Sequence, residues 1–364
     1  MSGVVLFVPG FFGFGAFGHP DRPLVEYFAR VEDAVLKAHL RELRFVVHEP
    51  PPAGSLVERV RSLHLRAQQV LLEGATELHL VGHSTGGLDA RLLAHPGYRA
   101  LPERAELVKR IASVVTVSAP FHGTPLARRL GRAAFIALPA IWFASILASR
   151  GRLRLAGHLA ALYNFAKQAT LQDVTPTEEL IANLADVDDE TAHQIRSFLK
   201  DVARDHRLVD DLKPEAMAEL NRALEGNDVV EPRSFVSVSP PPGVGLRAAL
   251  AFAGAPLQRL FYDTAYAMAA GQPPATARKP KGPWIGSSSI YVGDLSSDGI
   301  VPAWSQTLRG EARGVVLGDH LDVIGHYEAQ NATFLRSGSR FDDARFRALW
   351  REVARALTPR GSAP

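Results

Sequence analysis

The stretch LHLVGHSTGGLDAR, residues 78–91, decides the fold. It is apolar, then glycine-rich, then helix-like, and it sets a histidine and two hydroxyls between glycines. Residues 77–81, ELHLV, are expected as a short strand, and residues 88–93 open a helical pattern, so Gly82-His83-Ser84-Thr85-Gly86 must turn between them. A G-x-S-x-G pentapeptide between a strand and a helix is a nucleophile elbow. Its glycines let two backbones approach, and the tight turn forces the central residue into a strained conformation that presents its hydroxyl at the strand's carboxyl end. Ser84 is therefore the candidate nucleophile. The alternative is a purely structural glycine turn, and the two are separated by whether the other parts of an acyl-transfer site can be found.

Composition narrows the chemistry. The chain has 364 residues, 46% of them hydrophobic, enough to bury a large core in one domain or in a domain with an insertion. Its 41 basic and 38 acidic residues leave a formal charge of +3, so no global basic field points to nucleic acid. There is no cysteine, which excludes disulfides, thiolate metal sites and a cysteine nucleophile. The first twenty residues lack a basic n-region, and the run VVLFVPGFFGFGAFG is broken early by proline and glycine; it is expected as a first strand, and a cytoplasmic location follows as an expectation. No apolar run is long enough for a spanning helix to be the default.

Strand-like runs at 4–8, 45–48, 77–81, 111–118, 234–238 and 314–317 are separated mostly by helical patterns, for example at 24–40, 56–72 and 341–357. This alternation predicts an α/β fold, a mostly parallel sheet of about six core strands with helices on both faces and sites at the strands' carboxyl ends. The strand rhythm is lost between about 125 and 211, which predicts an inserted helical cap between core segments 1–124 and 212–364. A second insertion is expected over 243–285, ending in a proline-rich and basic loop.

Acyl transfer needs two N–H groups aimed at the developing alkoxide, one after the nucleophile and one in the first strand's loop. Thr85 and Phe11 hold those positions. Phe11, Phe12, Phe14 and Phe17 could equally be core residues of a glycine-rich turn, or an apolar wall beside the oxyanion site; Phe12 and His83 are expected to contact substrate. The chain order serine, acid, histidine points to Asp298 in a Ser-Asp-Gly turn and His320 just past a short strand. Asp294 is the rival acid, and His326 and His122 are rival bases. The remaining histidines have no partner at metal-ligand spacing, and no P-loop, H-E-x-x-H or dinucleotide fingerprint occurs.

Residues 128–154, RRLGRAAFIALPAIWFASILASRGRLR, open the expected cap. Residues 133–149 carry no charge, but as a helix they would reach only about 25 Å, short of a roughly 30 Å hydrocarbon core, and Pro139 would kink them. Two readings stand: a helix buried against the sheet domain, or a lid whose Ile141, Trp142, Phe143, Ile146 and Leu147 cover an acyl pocket and meet lipid when open. In the second, Trp142 and Phe143 bind substrate while Arg128, Arg129, Arg132, Arg150, Arg152 and Arg154 favour peripheral contact with an anionic lipid surface.

Taken in order, FVPGFFGFG, LHLVGHSTGGLDAR, VVTVSAPFHGTPLA, DLKPEAMAELN before SFVSVS, SSDGIVP and GDHLDVI resemble the α/β-hydrolase lipases, most closely the bacterial true lipases that begin at the sheet's third strand. The resemblance implies Ser84 as nucleophile, Asp298 and His320 as its partners, and Phe11 and Thr85 as oxyanion donors. It implies a lipase or carboxylesterase acting on hydrophobic esters without a cofactor. An acyltransferase, a phospholipase or an intracellular polyester depolymerase would use the same triad, and a non-catalytic α/β-hydrolase that binds a lipid or partner is the alternative of a different class. The chain departs from the family at three points. Pro9-Gly10 stands where a histidine-glycine pair is usual; of a structural calcium site only Asp322 matches, with His326 in place of an amide ligand and no carboxylate near Arg278; and the cap is longer than the single lid helix of compact relatives.

Overall fold

The structure is a computed structural model that describes residues 3–19, 21–31, 40, 42–101, 104–129, 188–224, 230–242, 257–327, 335 and 337–357. Strands β1 (Val4–Val8), β4 (Arg44–Val47), β5 (Leu78–His83), β6 (Ile111–Val117), β7 (Arg233–Val238), β8 (Trp284–Ile285) and β9 (Gly314–Leu317) form one sheet in the order β4-β1-β5-β6-β7-β9-β8. Every neighbouring pair is parallel. Strands β2 (Ala16–His19) and β3 (Arg22–Glu26) pair separately as an antiparallel hairpin.

A parallel sheet covered on both faces needs strands that are apolar on both sides, and β1, VVLFV, is buried at every position. Alternation then divides its side chains between two cores. Val4, Leu6 and Val8 pack with Leu56, Val60 and Leu63 of the helix Leu56–Leu72, whereas Val5 and Phe7 join Phe346, Leu349 and Trp350 of the helix Asp343–Leu357. The first of these helices begins at a reciprocal cap, Ser55 accepting from the Glu58 N–H while Glu58 reaches back to the Ser55 N–H.

Register brings the strand ends into one row. Val8 is opposite Gly82, His83 opposite Val117, and Val238 opposite Leu317. The loop after β1 therefore emerges beside the turn after β5, and the chain after β9 emerges beside the end of β7. The next helix, Thr85–Ala94, is buried at every residue, and it locks the turn from behind.

Two expectations change. Where a helix over 24–40 is expected to begin, residues 24–26 belong to β3 of the β2–β3 hairpin and 27–30 form a turn. There tertiary packing overrides the helical periodicity: Leu24 and Val25 enter the core from β3, Val25 pairing with Phe17 of β2, whose ring lies 5.3 Å from that of Phe198 in the helix Asp189–Arg204. Residues 32–39 lie outside the described residues. Among the described residues the sheet has seven strands, because the two-residue β8 adds to β9 from the end of the expected second insertion, where a helix, Leu257–Ala269, also forms. Of the expected cap, 130–187 lies outside the described residues, Trp142 and Phe143 with it; the described flanks Pro125–Arg129, Asp189–Arg204 and Arg207–Asp211 are helical. Among the described residues no helix is long and apolar enough to cross a membrane.

Candidate active site

Ser84 sits between β5 and the helix Thr85–Ala94 with φ 54° and ψ −130°. This is an unfavourable conformation for a residue with a side chain, and it persists only when the surroundings hold it. They do so by close backbone approach. A Cβ at Gly82 would collide with the Gly86 carbonyl oxygen, and one at Gly86 with that of Val8, so the pentapeptide's outer positions must be glycine. Gly10 is pressed against the same turn: a Cβ there would lie 2.5 Å from the Ser84 Cβ. The Ser84 N–H donates to the Val117 carbonyl at 2.9 Å, tying the elbow to β6.

Asp298 and His320 meet across the adjacent strand ends. His320 Nδ1 lies 2.7 Å from Asp298 Oδ2, and the His320 N–H donates to the Asp298 carbonyl at 3.0 Å. A carboxylate accepts, so Nδ1 carries the proton and, in the neutral ring, Nε2 is left as the basic atom. Asp298 is fully buried, and its remaining lone pairs are filled. Oδ1 accepts from the N–H groups of Ile300 at 3.0 Å and Val301 at 2.8 Å, and Oδ2 accepts from Ser237 Oγ at 2.8 Å and Gln306 Nε2 at 3.2 Å. The histidine loop closes on itself: Asp319 Oδ1 accepts from the N–H groups of Leu321 and Asp322, while Asp322 Oδ2 accepts from the Asp319 N–H and Ser339 Oγ.

Thr85 is the first residue of its helix, where no carbonyl within the helix can accept its N–H. Phe11 lies in the loop after β1 between two anchored neighbours. The Gly10 N–H donates to Tyr27 Oη at 2.8 Å and the Phe12 N–H to the Pro52 carbonyl at 2.9 Å. Phe12 has φ 56°, so the bend that directs Phe11 is itself strained. Arg59, fully buried, reaches the same loop: Nη2 donates to the Pro9 carbonyl at 2.8 Å and to Asp89 Oδ2 at 2.7 Å. An apolar pocket lined by Phe11, Leu126, Val209, Leu212, Ile300 and Val301 opens on Ser84 and Thr85. A larger cavity of about 500 Å³ lies among Trp284, Arg313, Arg351 and Arg355. Arg313 precedes β9 at its amino end, so that cavity lies toward the strands' amino ends, away from the carboxyl ends that carry Ser84.

The rival groups are elsewhere. Asp294 is on the surface, 3.0 Å from Lys279 Nζ. His122 Nε2 lies 3.2 Å from the Leu308 carbonyl, and His326 Nε2 3.1 Å from the Tyr27 carbonyl; burial lowers the pKa of both rings. His83, expected against substrate, is buried at 1% exposure with both ring nitrogens bonded within the protein, so it lies behind the elbow and does not face the pocket. The Phe12 ring stacks 4.1 Å from that of Phe11, and of the two Phe11 lines the pocket. Of the six arginines expected to face headgroups, Arg132, Arg150, Arg152 and Arg154 lie outside the described residues; Arg128 pairs with Glu215, Nη2 to Oε2 at 2.6 Å, and Arg129 donates to the carbonyls that end the helix Leu257–Ala269. The residues do not fit a calcium ion: the Asp322 carboxylate staples its own loop, His326 offers its Nε2 to a main-chain carbonyl, and among the described residues no cluster of three acidic or histidine side chains converges.

Two supporting residues, Tyr27 and Arg59, are absent from the sequence reading. Arg59 leaves a signal there, since it falls three residues after Leu56 on the helix face that also carries Val60 and Leu63, and a charge inside an apolar stripe marks a buried ion pair. Tyr27 leaves none, because it belongs to the segment whose periodicity is helical.

No protein-family model matches the sequence, and no curated protein matches it. Among solved structures the chain is similar to the lipase of Staphylococcus hyicus, at 16% identity over 98% of this chain and 95% of that chain, with a TM-score of 0.51. It is also similar to EstA from Clostridium botulinum, at 16% identity over 98% of this chain and 87% of that chain, with a TM-score of 0.51. At such identity the likeness is one of fold. Parallel strand order, an elbow after β5 and structural neighbours of this kind place the chain in a lipase-like α/β-hydrolase fold.

Proposed function

We propose that this protein is a serine hydrolase that cleaves hydrophobic carboxylic esters. The observation that carries the reading is the 2.7 Å contact of His320 with a fully bonded Asp298 on the row of strand ends that also presents strained Ser84. Ser84 Oγ attacks the ester carbonyl while His320 Nε2 takes its proton, and Asp298 holds the ring's tautomer and stabilises the imidazolium. The Phe11 and Thr85 N–H groups stabilise the oxyanion. As the tetrahedral intermediate collapses, His320 protonates the leaving alcohol; water then attacks the acyl-enzyme, giving up its proton to His320, and the acid leaves with Ser84 restored. The apolar walls at Phe11, Leu126 and Val209 support an acyl group of hydrocarbon character.

The test is turnover of p-nitrophenyl esters of increasing acyl length by the wild type and by Ser84→Ala. Hydrolysis that the variant lacks, with its melting temperature unchanged, is expected. A folded wild type that turns over none of the series, or a Ser84→Ala variant that keeps full activity, defeats the reading. Transfer to an added alcohol in preference to water would identify an acyltransferase on the same residues.

A further inference from the structure

Pro9-Gly10 brings no polar side chain to hold the loop that carries Phe11. The structure supplies the support from elsewhere, through a line of hydrogen bonds behind the elbow. The Gly10 N–H donates to Tyr27 Oη at 2.8 Å, Tyr27 Oη lies 2.8 Å from His83 Nδ1, and His83 Nε2 lies 2.9 Å from the His320 carbonyl oxygen. Chemistry sets the direction. A carbonyl only accepts, so His83 Nε2 carries the ring proton. Burial holds His83 well below the usual imidazole range, so the ring is neutral and Nδ1 is an acceptor. Tyr27 therefore donates to Nδ1, and its oxygen is left to accept from Gly10.

Every member is out of solvent, Tyr27 at 4% and His83 at 1% exposure, so a missing partner has no water to replace it. Tyr27 is itself fixed on all sides. Its N–H donates to the Gly15 carbonyl at 3.0 Å, its carbonyl receives His326 Nε2 at 3.1 Å, and its ring meets Phe14 and Phe28 edge-on at 5.7 and 5.1 Å. One hydroxyl thus joins three parts that must be in register for acyl transfer: the loop of Phe11, the residue before Ser84, and the backbone of His320.

We propose that Tyr27 is a positioning residue that sets the Phe11 N–H against Ser84 through Gly10 and His83, so that oxyanion stabilisation depends on its hydroxyl. The proposal rests on the ester-hydrolase reading above and makes two demands of its own.

Tyr27→Phe removes only the hydroxyl and tests both. In the wild type, 15N-edited NMR of the histidine rings should show His83 as the neutral Nε2–H tautomer with Nδ1 hydrogen-bonded, and the Nδ1 signal should move in Tyr27→Phe. A neutral Nδ1–H tautomer, or a charged ring at neutral pH, overturns the proposal whatever the activity. Kinetically, Tyr27→Phe should lower kcat on an ester roughly 10- to 100-fold with KM within about twofold, because only the transition state develops the oxyanion. The same variant should lose at least about fivefold of the wild type's preference for that ester over its thionoester, since sulfur accepts hydrogen bonds poorly and gains less from a well-set oxyanion site. Unchanged ester turnover overturns the proposal. So does an equal fractional loss on both substrates with a lowered melting temperature, which marks Tyr27 as packing only. A wild type that hydrolyses no ester defeats the underlying reading as well, and the NMR result tells the two failures apart.

Discussion

On one side of Ser84, Asp298 draws most of its hydrogen bonds from its own neighbourhood: the N–H groups of Ile300 and Val301 are two and three residues on, and the Gln306 amide is eight. On the other side, the loop of Phe11 is held by groups distant in sequence, Tyr27 at 17 residues from Gly10, Pro52 at 40 from Phe12 and Arg59 at 50 from Pro9. The acid side builds itself from a turn and needs the rest of the fold only to bring Ser237 and His320 alongside. The oxyanion side takes these anchors, and with them its shape, from what folds around it.

That contrast predicts different damage. The largest effect should come from Asp298→Asn, which keeps the acid side's shape but cannot hold the proton-bearing Nδ1 with a negative charge; kcat should fall about a thousandfold or more with the fold intact. Asp294→Asn is the control. Its ion pair with Lys279 is exposed at the surface, and activity should stay within about twofold. Comparable losses in the two variants, measured on one ester, would remove Asp298 from its assigned role.

On the oxyanion side the corresponding damage is to stability. Arg59→Met leaves the Asp89 carboxylate buried without its partner and releases the Pro9 carbonyl, a change of about 3–5 kcal/mol in unfolding free energy. Urea denaturation measures it. A loss below about 1 kcal/mol would mean that the loop does not depend on distant anchors, and the comparison between the two sides would fail.

A smaller effect sharpens the contrast by pH. His48, at the end of β4 beside this loop, is buried, and desolvation lowers its pKa to about 3. The unfolded chain protonates this ring below about pH 6.5 while the folded chain does not, so acidification through the window from 6.5 to 3 removes stability. By pH 5 the loss amounts to about 2 kcal/mol from this ring alone. In His48→Gln the drop in unfolding free energy between pH 7 and pH 5 should shrink by about that amount; parallel pH curves for the two proteins would refute it.

The same contrast explains what could be read in advance. The elbow, the Asp298 turn and the His320 loop are local: glycine spacing and short polar turns at strand ends carry them in consecutive residues. Strand positions are legible for the same reason, since β1 is an unbroken apolar run and β5 and β9 are short, largely apolar runs bounded by turn residues. Tyr27 is not, because helical periodicity from residue 24 onward competes with burial of Leu24 and Val25 in a hairpin whose partner strand sets Phe17 against a helix about 170 residues later, and only the folded chain decides between them. The expectation for His83 fails for a related reason. Its position next to the nucleophile suggests contact with substrate, but strand alternation turns the side chain before Ser84 to the opposite face, toward Tyr27.

Every other role proposed for the site depends on that of Ser84, a nucleophile activated by His320. That role is tested most directly by exposing the wild type, His320→Ala and His326→Ala to a fluorophosphonate and locating the adduct by peptide mass spectrometry. The account predicts rapid modification of Ser84 in the wild type and a comparable extent in His326→Ala. In His320→Ala, labelling should be slower by at least about a hundredfold. A wild type left unmodified at Ser84, or a His320→Ala variant labelled as fast as wild type, would contradict it.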